Sequence, residues 1–415
     1  MTGQRLRPLV AAIGLASLTP SLSQAAGFQL NEHSVSGLGR AYAGEAASVE
    51  NSSVIFRNPA AMTYYDTVAI SAGAVYIDPN VDIHGTNMLG KTGDTDVASS
   101  GLLPNVSVVK PLNADWAVGF SASSNFHTGV EFSDDFLASH FGKVAEIETM
   151  DLNLAIAYKI NEAWSLGLGL SAIKGEGRIK STTPPVLPAP YNNLTSKTIL
   201  DLQGDDTTTT WNLGAMWQVN EKHRLALTYK HHATLDLSGT ATSDIGMPSG
   251  NGSLPLALPA MAEIASEHQL RDNLILHASL NWTGWSRFEE LRANIEGHDV
   301  LIKDENWDDT WRASVGITYR LNSEWQLRSG LAFDKGAVKE DYRTITIPDS
   351  DRYWFSTGAA YHLSKHSTID LGLSYLHFKD ASIEETTQIG NIVDTYQATA
   401  SGDVWLIGAQ YSYRF

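Results

Sequence analysis

Trp405-Leu406-Ile407-Gly408-Ala409-Gln410-Tyr411-Ser412-Tyr413-Arg414-Phe415 settles the class of fold. Trp405, Ile407, Ala409, Tyr411, Tyr413 and Phe415 fall on one side of an extended chain, and Leu406, Gly408, Gln410, Ser412 and Arg414 on the other, because successive side chains of a strand point to opposite faces. The first face is aromatic and apolar, and the second is mostly small or polar. A strand with that contrast separates an apolar environment from a wetter one.

The same period recurs upstream. Trp164, Leu166, Leu168 and Leu170 oppose Ser165, Gly167, Gly169 and Ser171; Trp311, Ala313, Val315, Ile317 and Tyr319 oppose Arg312, Ser314, Gly316, Thr318 and Arg320. Trp325, Leu327, Leu331 and Phe333 oppose Gln326, Arg328, Gly330 and Asp334, with Ser329 the one polar residue on the apolar side. The runs span about ten residues, the length a tilted strand needs to cross a bilayer. Short polar turns near Pro111-Leu112-Asn113, Asn161-Glu162, Asn220-Glu221-Lys222, Gln269-Leu270-Arg271, Asn322-Ser323 and Ser364-Lys365-His366 alternate with long stretches over roughly 79–102, 127–146, 178–206, 241–252, 286–306, 336–350 and 382–400. The count is seven hairpins and fourteen strands. The expected fold is all-β: a 14-stranded antiparallel transmembrane β-barrel with apolar residues toward lipid and small or charged ones toward the lumen. A β-sandwich has fewer strands and no such two-sided loop pattern.

Composition agrees. Hydrophobic residues make up 43% and mean hydropathy is −0.16, figures of a soluble globule, yet there are 11 Trp and 15 Tyr. Alternation keeps the average modest while aromatic side chains collect at the two membrane interfaces. No stretch offers eighteen consecutive apolar residues, so no transmembrane helix is expected. Residues 1–25 read as a cleaved export signal: Arg5 and Arg7 at the start, an apolar run from Leu9 to Leu18, and Ser23-Gln24-Ala25 before the cut. Losing them removes two of the 29 basic residues and none of the 46 acidic ones, which takes the net charge from −17 to −19 and excludes nucleic acid as a partner. With no cysteine, the exported chain relies on backbone pairing and packing. The expected address is the Gram-negative outer membrane, the expected state a monomer among lipid and lipopolysaccharide. The terminal aromatic is the feature that outer-membrane assembly machinery is expected to read.

One segment does not alternate. Gly27-Phe28-Gln29-Leu30-Asn31-Glu32 through Arg57-Asn58-Pro59-Ala60 has neither period, and Gly37, Gly39 and Gly44 interrupt it. Phe28, Leu30, Leu38, Tyr42, Val54, Ile55, Phe56 and Met62 make it too apolar to float free. It is expected to be packed inside the barrel, giving a division into residues 1–25 (signal), 26–66 (plug) and 67–415 (barrel).

Gly27-Phe28-Gln29-Leu30-Asn31-Glu32, Ser36-Gly37-Leu38-Gly39-Arg40-Ala41-Tyr42, Gly44-Glu45 and Arg57-Asn58-Pro59-Ala60 resemble the N-terminal hatch of the FadL family of outer-membrane long-chain fatty acid transporters. Ala72 to Pro79, Ala163 to Gly169, Ile345 to Trp354 and the last strand extend the resemblance over the mature chain. It implies passive transport: capture at an extracellular hydrophobic groove, a lumenal apolar pocket, and lateral exit where the third strand bends inward. Residue by residue, it implies that Phe28 touches ligand, that Asn58, Pro59 and Ala60 border the exit, and that Lys303 binds a carboxylate head group. The family's arginine partner falls on Ser181, so Arg178 and Lys180 are the substitutes, and Val186 to Tyr191 are a candidate groove wall. The bend is expected between Ser124 and Gly129, around Asn125, with His127 at the family's glycine position.

Other chemistries find no support. Gly37-Leu38-Gly39 lacks nucleotide-loop spacing, the histidines lack metal-ligand spacing, and no Gly-x-Ser-x-Gly occurs. No cofactor, metal or catalytic residue is expected, and the protein is expected not to be an enzyme. Two rivals to fatty acid transport are a channel for aromatic or alkane hydrocarbons on the same fold and, less favoured, an outer-membrane lipid enzyme.

Overall fold

Asparagine sets three of the short turns. Asn113, Asn161 and Asn322 each accept, through Oδ1, the backbone N–H groups two and three residues ahead at 2.8–2.9 Å, and the second of these donors is Trp116, Trp164 or Trp325, the first residue of the next strand. The side-chain oxygen replaces a backbone acceptor and reverses the chain in a few residues. Each tryptophan then meets a ring on the adjacent strand: Trp116 with Tyr158 at 4.6 Å, Trp164 with Trp217 at 5.2 Å, Trp325 with Tyr361 at 4.7 Å. At the opposite strand ends Trp311 meets Phe333, Phe333 meets Tyr353, and Tyr375 meets Trp405. Between these two aromatic girdles the outward residues are exposed Leu, Ile and Val such as Leu154, Leu170, Leu331 and Ile407, the apolar band of a membrane barrel.

The computed structural model describes residues 27–415, apart from the side chain of Ile389; the signal reading of residues 1–25 lies outside the described residues. Fourteen strands make the wall: β1 (Ala69–Asn87), β2 (Gly101–Pro111), β3 (Trp116–Ser123), β4 (Val144–Lys159), β5 (Trp164–Thr182), β6 (Thr198–Asn220), β7 (His223–Lys230), β8 (Met261–Arg271), β9 (Leu274–Thr283), β10 (Thr310–Arg320), β11 (Trp325–Asp334), β12 (Arg352–His362), β13 (Ser367–Phe378) and β14 (Ile392–Arg414). Each pairs antiparallel with its chain neighbour. β14 pairs β1 from Ala69↔Arg414 to Thr86↔Gln397 and closes the barrel, so the wall has no free edge strand. Stretches expected as loops at 79–102, 286–306 and 382–400 prove largely stranded. Hairpin Glu290–Ile295/His298–Asp304 lies outside the fourteen wall strands, and Ala381–Ile389 pairs with the first residues of β14; they turn at Gly297 and Gly390, both with positive φ. Their charged, amide and hydroxyl residues masked the pairing.

Residues 27–65 fill the lumen with short helical turns, Val35–Leu38, Glu45–Ala47, Ser52–Phe56 and Pro59–Tyr64. Polar side chains cap them: Ser34 Oγ accepts from Gly37 N, Asn51 Oδ1 from Ser53 N and Asn58 Oδ1 from Ala60 N, at 3.0–3.1 Å. The backbone of this plug lies directly on the wall because the wall there is glycine. Gly330 of β11 pairs Gly316 of β10 beneath Arg40, and Gly358 of β12 pairs Gly372 of β13 beneath Gly39 and Val35. A Cβ on Gly358 would lie 2.8 Å from the Gly39 Cα, and one on Gly330 would overlap the Arg40 carbonyl. Since these obstacles are backbone, Gly330→Val is expected to cost about 1–3 kcal/mol of overpacking and to lower the temperature at which the folded barrel unfolds on semi-native gels. An unchanged transition would mean that the plug does not rest on that strand.

Candidate functional site

Phe28 anchors the first described residues of the plug. Its ring is fully buried among Trp285 (4.7 Å between centroids), Phe288 (5.6 Å), Trp307 (5.8 Å) and Phe126 (6.0 Å), all edge-on, the arrangement that places positive ring edges on negative faces. The backbone is held as well. Leu30 N donates to Asn125 O at 2.7 Å and His127 N donates to Phe28 O at 2.8 Å. The plug therefore forms a short bridge with the segment where β3 breaks.

That break spans Ser124–Phe126, and the strand resumes as His127–Glu131 against β4. Asn125 Nδ2 donates to Asp151 Oδ2 at 2.8 Å, a carboxylate also ion-paired with Lys230, and Ser124 Oγ turns to Phe126 O at 3.3 Å. The break interrupts the wall. The β2–β3 ladder runs from Pro111↔Ala117 to Val106↔Ala122 and stops. Contact returns only where Ser99 N donates to Gly129 O at 3.3 Å, Ala98 bridges Val130, and Glu131 N donates to Val97 O at 3.0 Å. Asn105, Ser121, His127 and Thr128 bring to this stretch buried side-chain atoms with no hydrogen-bond partner, a costly arrangement in an otherwise paired wall.

Above the girdle residues Trp282 and Trp311 lies a cavity of about 910 Å³, within the roughly 300–1,000 Å³ of ligand pockets. Leu187, Pro188 and Tyr191 form one wall, as expected for that proline-containing loop, and Leu200 and Leu291 contribute to the floor. Those two leucines belong to the same apolar cluster as Phe28, Trp285 and Trp307. Two lysines face the cavity, Lys180 and Lys303. Lys303 Nζ donates to Phe141 O at 3.0 Å and is ion-paired with Glu385. Burial pulls its ammonium down to about 8, against the pull of Glu305, while the ion pair with Glu385 favours the charged form. Burial pushes the Glu305 carboxyl up to about 7, opposed by the Trp307 indole N–H that it accepts at 2.7 Å and by Lys303. Through Glu305 the cation site is connected to the Trp307 ring that meets Phe28 edge-on.

The sequence profile described as "Outer membrane protein transport protein (OMPP1/FadL/TodX)" matches residues 16–415. The chain belongs to the OMPP1/FadL/TodX family. It is 36% identical to a long-chain fatty acid transport protein of Salmonella typhi over 94% of both chains. In fold it is similar to the crystal structure of a Pseudomonas aeruginosa FadL homologue, with a TM-score of 0.83 at 23% identity over 94% of this chain and all of the other. It is also similar to the P. putida toluene transporter TodX, with a TM-score of 0.71 at 15% identity over 91% of this chain and 98% of the other. Membership makes this an outer-membrane transport protein of a transporter family rather than an enzyme family.

Placed on this FadL/TodX-family barrel, the residues singled out in the sequence divide. Phe28, Asn125, Ser124 and Gly129 come together at the break in β3, and Lys180 and Lys303 at the cavity. Arg178 does not join them: it makes a bidentate pair with Asp201 of β6 at 2.8 and 2.9 Å and lies beside a separate small apolar recess. Asn58, Pro59 and Ala60 also lie elsewhere. They are seated on the paired glycines Gly167 of β5 and Gly214 of β6, with Asn58 Nδ2 donating to Ala46 O at 2.8 Å and Ser165 Oγ to Ala60 O at 3.2 Å. That is two and three strands round the wall from the β3 break, whose inner contact is instead Phe28 to Leu30. Glu385 was not singled out, since nothing in Ile383-Glu384-Glu385-Thr386 reports proximity to Lys303. The signal available for Trp285, Phe288 and Trp307 was three large rings inside a Gly- and Asp-rich stretch without alternation.

Proposed function

We propose that this protein carries long-chain fatty acids passively across the outer membrane, by capture in the 910 Å³ cavity, passage into the apolar cluster around Phe28, and lateral exit at the interruption between β2 and β3. The observation that carries the reading is the shared floor: Leu200 and Leu291 line the cavity and belong to the cluster that holds Phe28. A hydrocarbon chain moving inward exchanges one apolar surface for another. Sideways exit fits the energetics, since each buried methylene gains about 0.8 kcal/mol, so release into lipid is level where release into the periplasm is uphill. Lys303 supplies the positive charge for a carboxylate head group.

A second reading, a hydrocarbon channel, is favoured by one fact: both cavity lysines already have acidic partners, Glu385 for Lys303 and Asp201 for Lys180 at 3.6 Å. Replacing Lys303→Met and Glu385→Gln together separates the readings, because neither charge is then left buried alone. Fatty acid transport predicts that cells relying on this channel take up oleate at least tenfold more slowly with the double variant, while alkane uptake is unchanged. A charge-assisted contact of about 1.5–3 kcal/mol sets that magnitude. Oleate uptake equal to wild type would reject the fatty acid reading. An outer-membrane lipid enzyme would instead turn over phospholipid in detergent.

A further inference from the structure

We infer that Glu385 competes with the ligand carboxylate for Lys303 and thereby sets the affinity of the cavity for anionic amphiphiles. This rests on the fatty acid reading above. Glu385 lies on the hairpin Ala381–Ile389, far in sequence from Lys303 on the hairpin His298–Asp304, yet the two are ion-paired beside the cavity and both are largely buried. Lys303 and Glu385 both lie on strands outside the fourteen that close the barrel, so the pair is not required for closure. The other carboxylate oxygen is engaged differently, since Glu385 Oε2 accepts the Ile345 backbone N–H at 3.0 Å.

Three consequences follow from that geometry. A buried ammonium has room for few anionic oxygens, and here the remaining contact is the neutral Phe141 carbonyl, so a second carboxylate arriving at Lys303 must share it with Glu385 or replace it. Two carboxylates at one cation repel, which weakens whichever is held less rigidly. The incoming group can bring an apolar chain that the cavity buries, which Glu385 cannot. The exchange also has a mechanical side. Ile345 begins the segment whose Thr346 lines the cavity and whose Ile347 packs in the cluster around Phe28, so moving Glu385 away releases an amide of the strap that lies between cavity and plug. Lys180 lies 3.6 Å from Asp201, a carboxylate already held bidentately by Arg178; Lys303 is the cavity lysine whose carboxylate partner also holds the strap, so an exchange there would be felt on the strap.

The test measures binding of oleate and of oleyl alcohol to the purified full-length protein in detergent. Glu385→Gln keeps an acceptor for the Ile345 amide and removes the competing charge. It is expected to tighten oleate binding about tenfold, the factor corresponding to about 1.4 kcal/mol, and to leave oleyl alcohol unchanged. A second measurement uses the wild-type chain alone: oleate, but not oleyl alcohol, is expected to speed amide exchange in residues 343–348. Oleate affinity unchanged or weaker in the variant, equal tightening of the alcohol, or no change in exchange on oleate binding would each overturn the inference. If wild-type protein binds oleate in a Lys303-dependent way and only the Glu385 results fail, this inference alone falls. If wild-type protein does not bind oleate, the fatty acid reading falls and takes this inference with it.

Discussion

Arg40→Ala should turn a plugged barrel into a conducting one. Arg40 is fully buried in the plug and donates to Glu45 at 2.9 Å, Glu50 at 2.7 Å and the Ala43 carbonyl at 2.9 Å. Glu50 in turn takes Arg328 of β11 at 3.2 Å, and Arg328 holds Asp370 of β13 at 2.7 Å. Glu50 thus links this buried network of the plug to two wall strands. Burial alone would raise that carboxyl, yet Arg328 and Arg40 hold Glu50 well below the usual carboxylate range. Its contribution is therefore present above the unfolded value of about 4.3 and is lost only as pH falls from there toward the depressed folded value. Removing Arg40 strands Glu45 and weakens Glu50, and breaking a buried pair from one side costs about 3–5 kcal/mol. A shift of that size favours plug release by roughly 150- to 4,000-fold. Planar-bilayer recordings should show wild-type channels nearly silent and Arg40→Ala channels conducting; variant currents no larger than wild type would mean that the ion network does not retain the plug.

Phe28→Ala should loosen the plug from its other end, and should be rescued by a small apolar molecule. The ring fills a space bounded by four aromatic neighbours, and truncating a buried Phe to Ala costs about 3–5 kcal/mol, part of it for the cavity left behind. The loss falls on the residues whose backbone also bridges Asn125 and His127. Cleavage of the plug by an added protease should accelerate about a hundredfold, because local opening governs access. The new cavity is apolar and stays dry, as such cavities do. Toluene should therefore slow cleavage of Phe28→Ala protein while leaving wild type unaffected. Equal cleavage of the two proteins in the absence of toluene would show that Phe28 is not what holds the segment.

Legibility in the sequence followed the range of the interactions concerned. Alternation is a nearest-neighbour property, so Trp164 to Ser171 and Trp311 to Arg320 reported their two faces directly, and the count of fourteen strands followed from short polar turns, three of them set by local asparagine chemistry, alternating with long stretches. The hairpins over 290–304 and 381–400 were harder, because charged, amide and hydroxyl residues run through both and neither face is lipid. The site was partly legible. The structure brings Phe28 and Asn125 together at the break in β3 and Lys180 and Lys303 at the cavity, whereas Arg178 is committed to Asp201 and Asn58-Pro59-Ala60 sits on β5 and β6 rather than at the break in β3.

What the sequence determined by itself was the environment of each strand face, the membrane address and the presence of an apolar segment that had to be enclosed. Period-two patterning and composition are summed along the chain, and they survive without knowing which strand meets which. Only the tertiary structure decided the partners. Lys303 and Glu385, Glu50 and Arg328, and Gly39 and Gly358 are separated by tens to hundreds of residues, and it is barrel closure between Ala69 and Arg414 that brings such pairs within contact. Whether a lysine is free for a ligand or shared with an internal carboxylate depends on those distances, which is why the transport fold could be read from the chain and the state of its cation site could not.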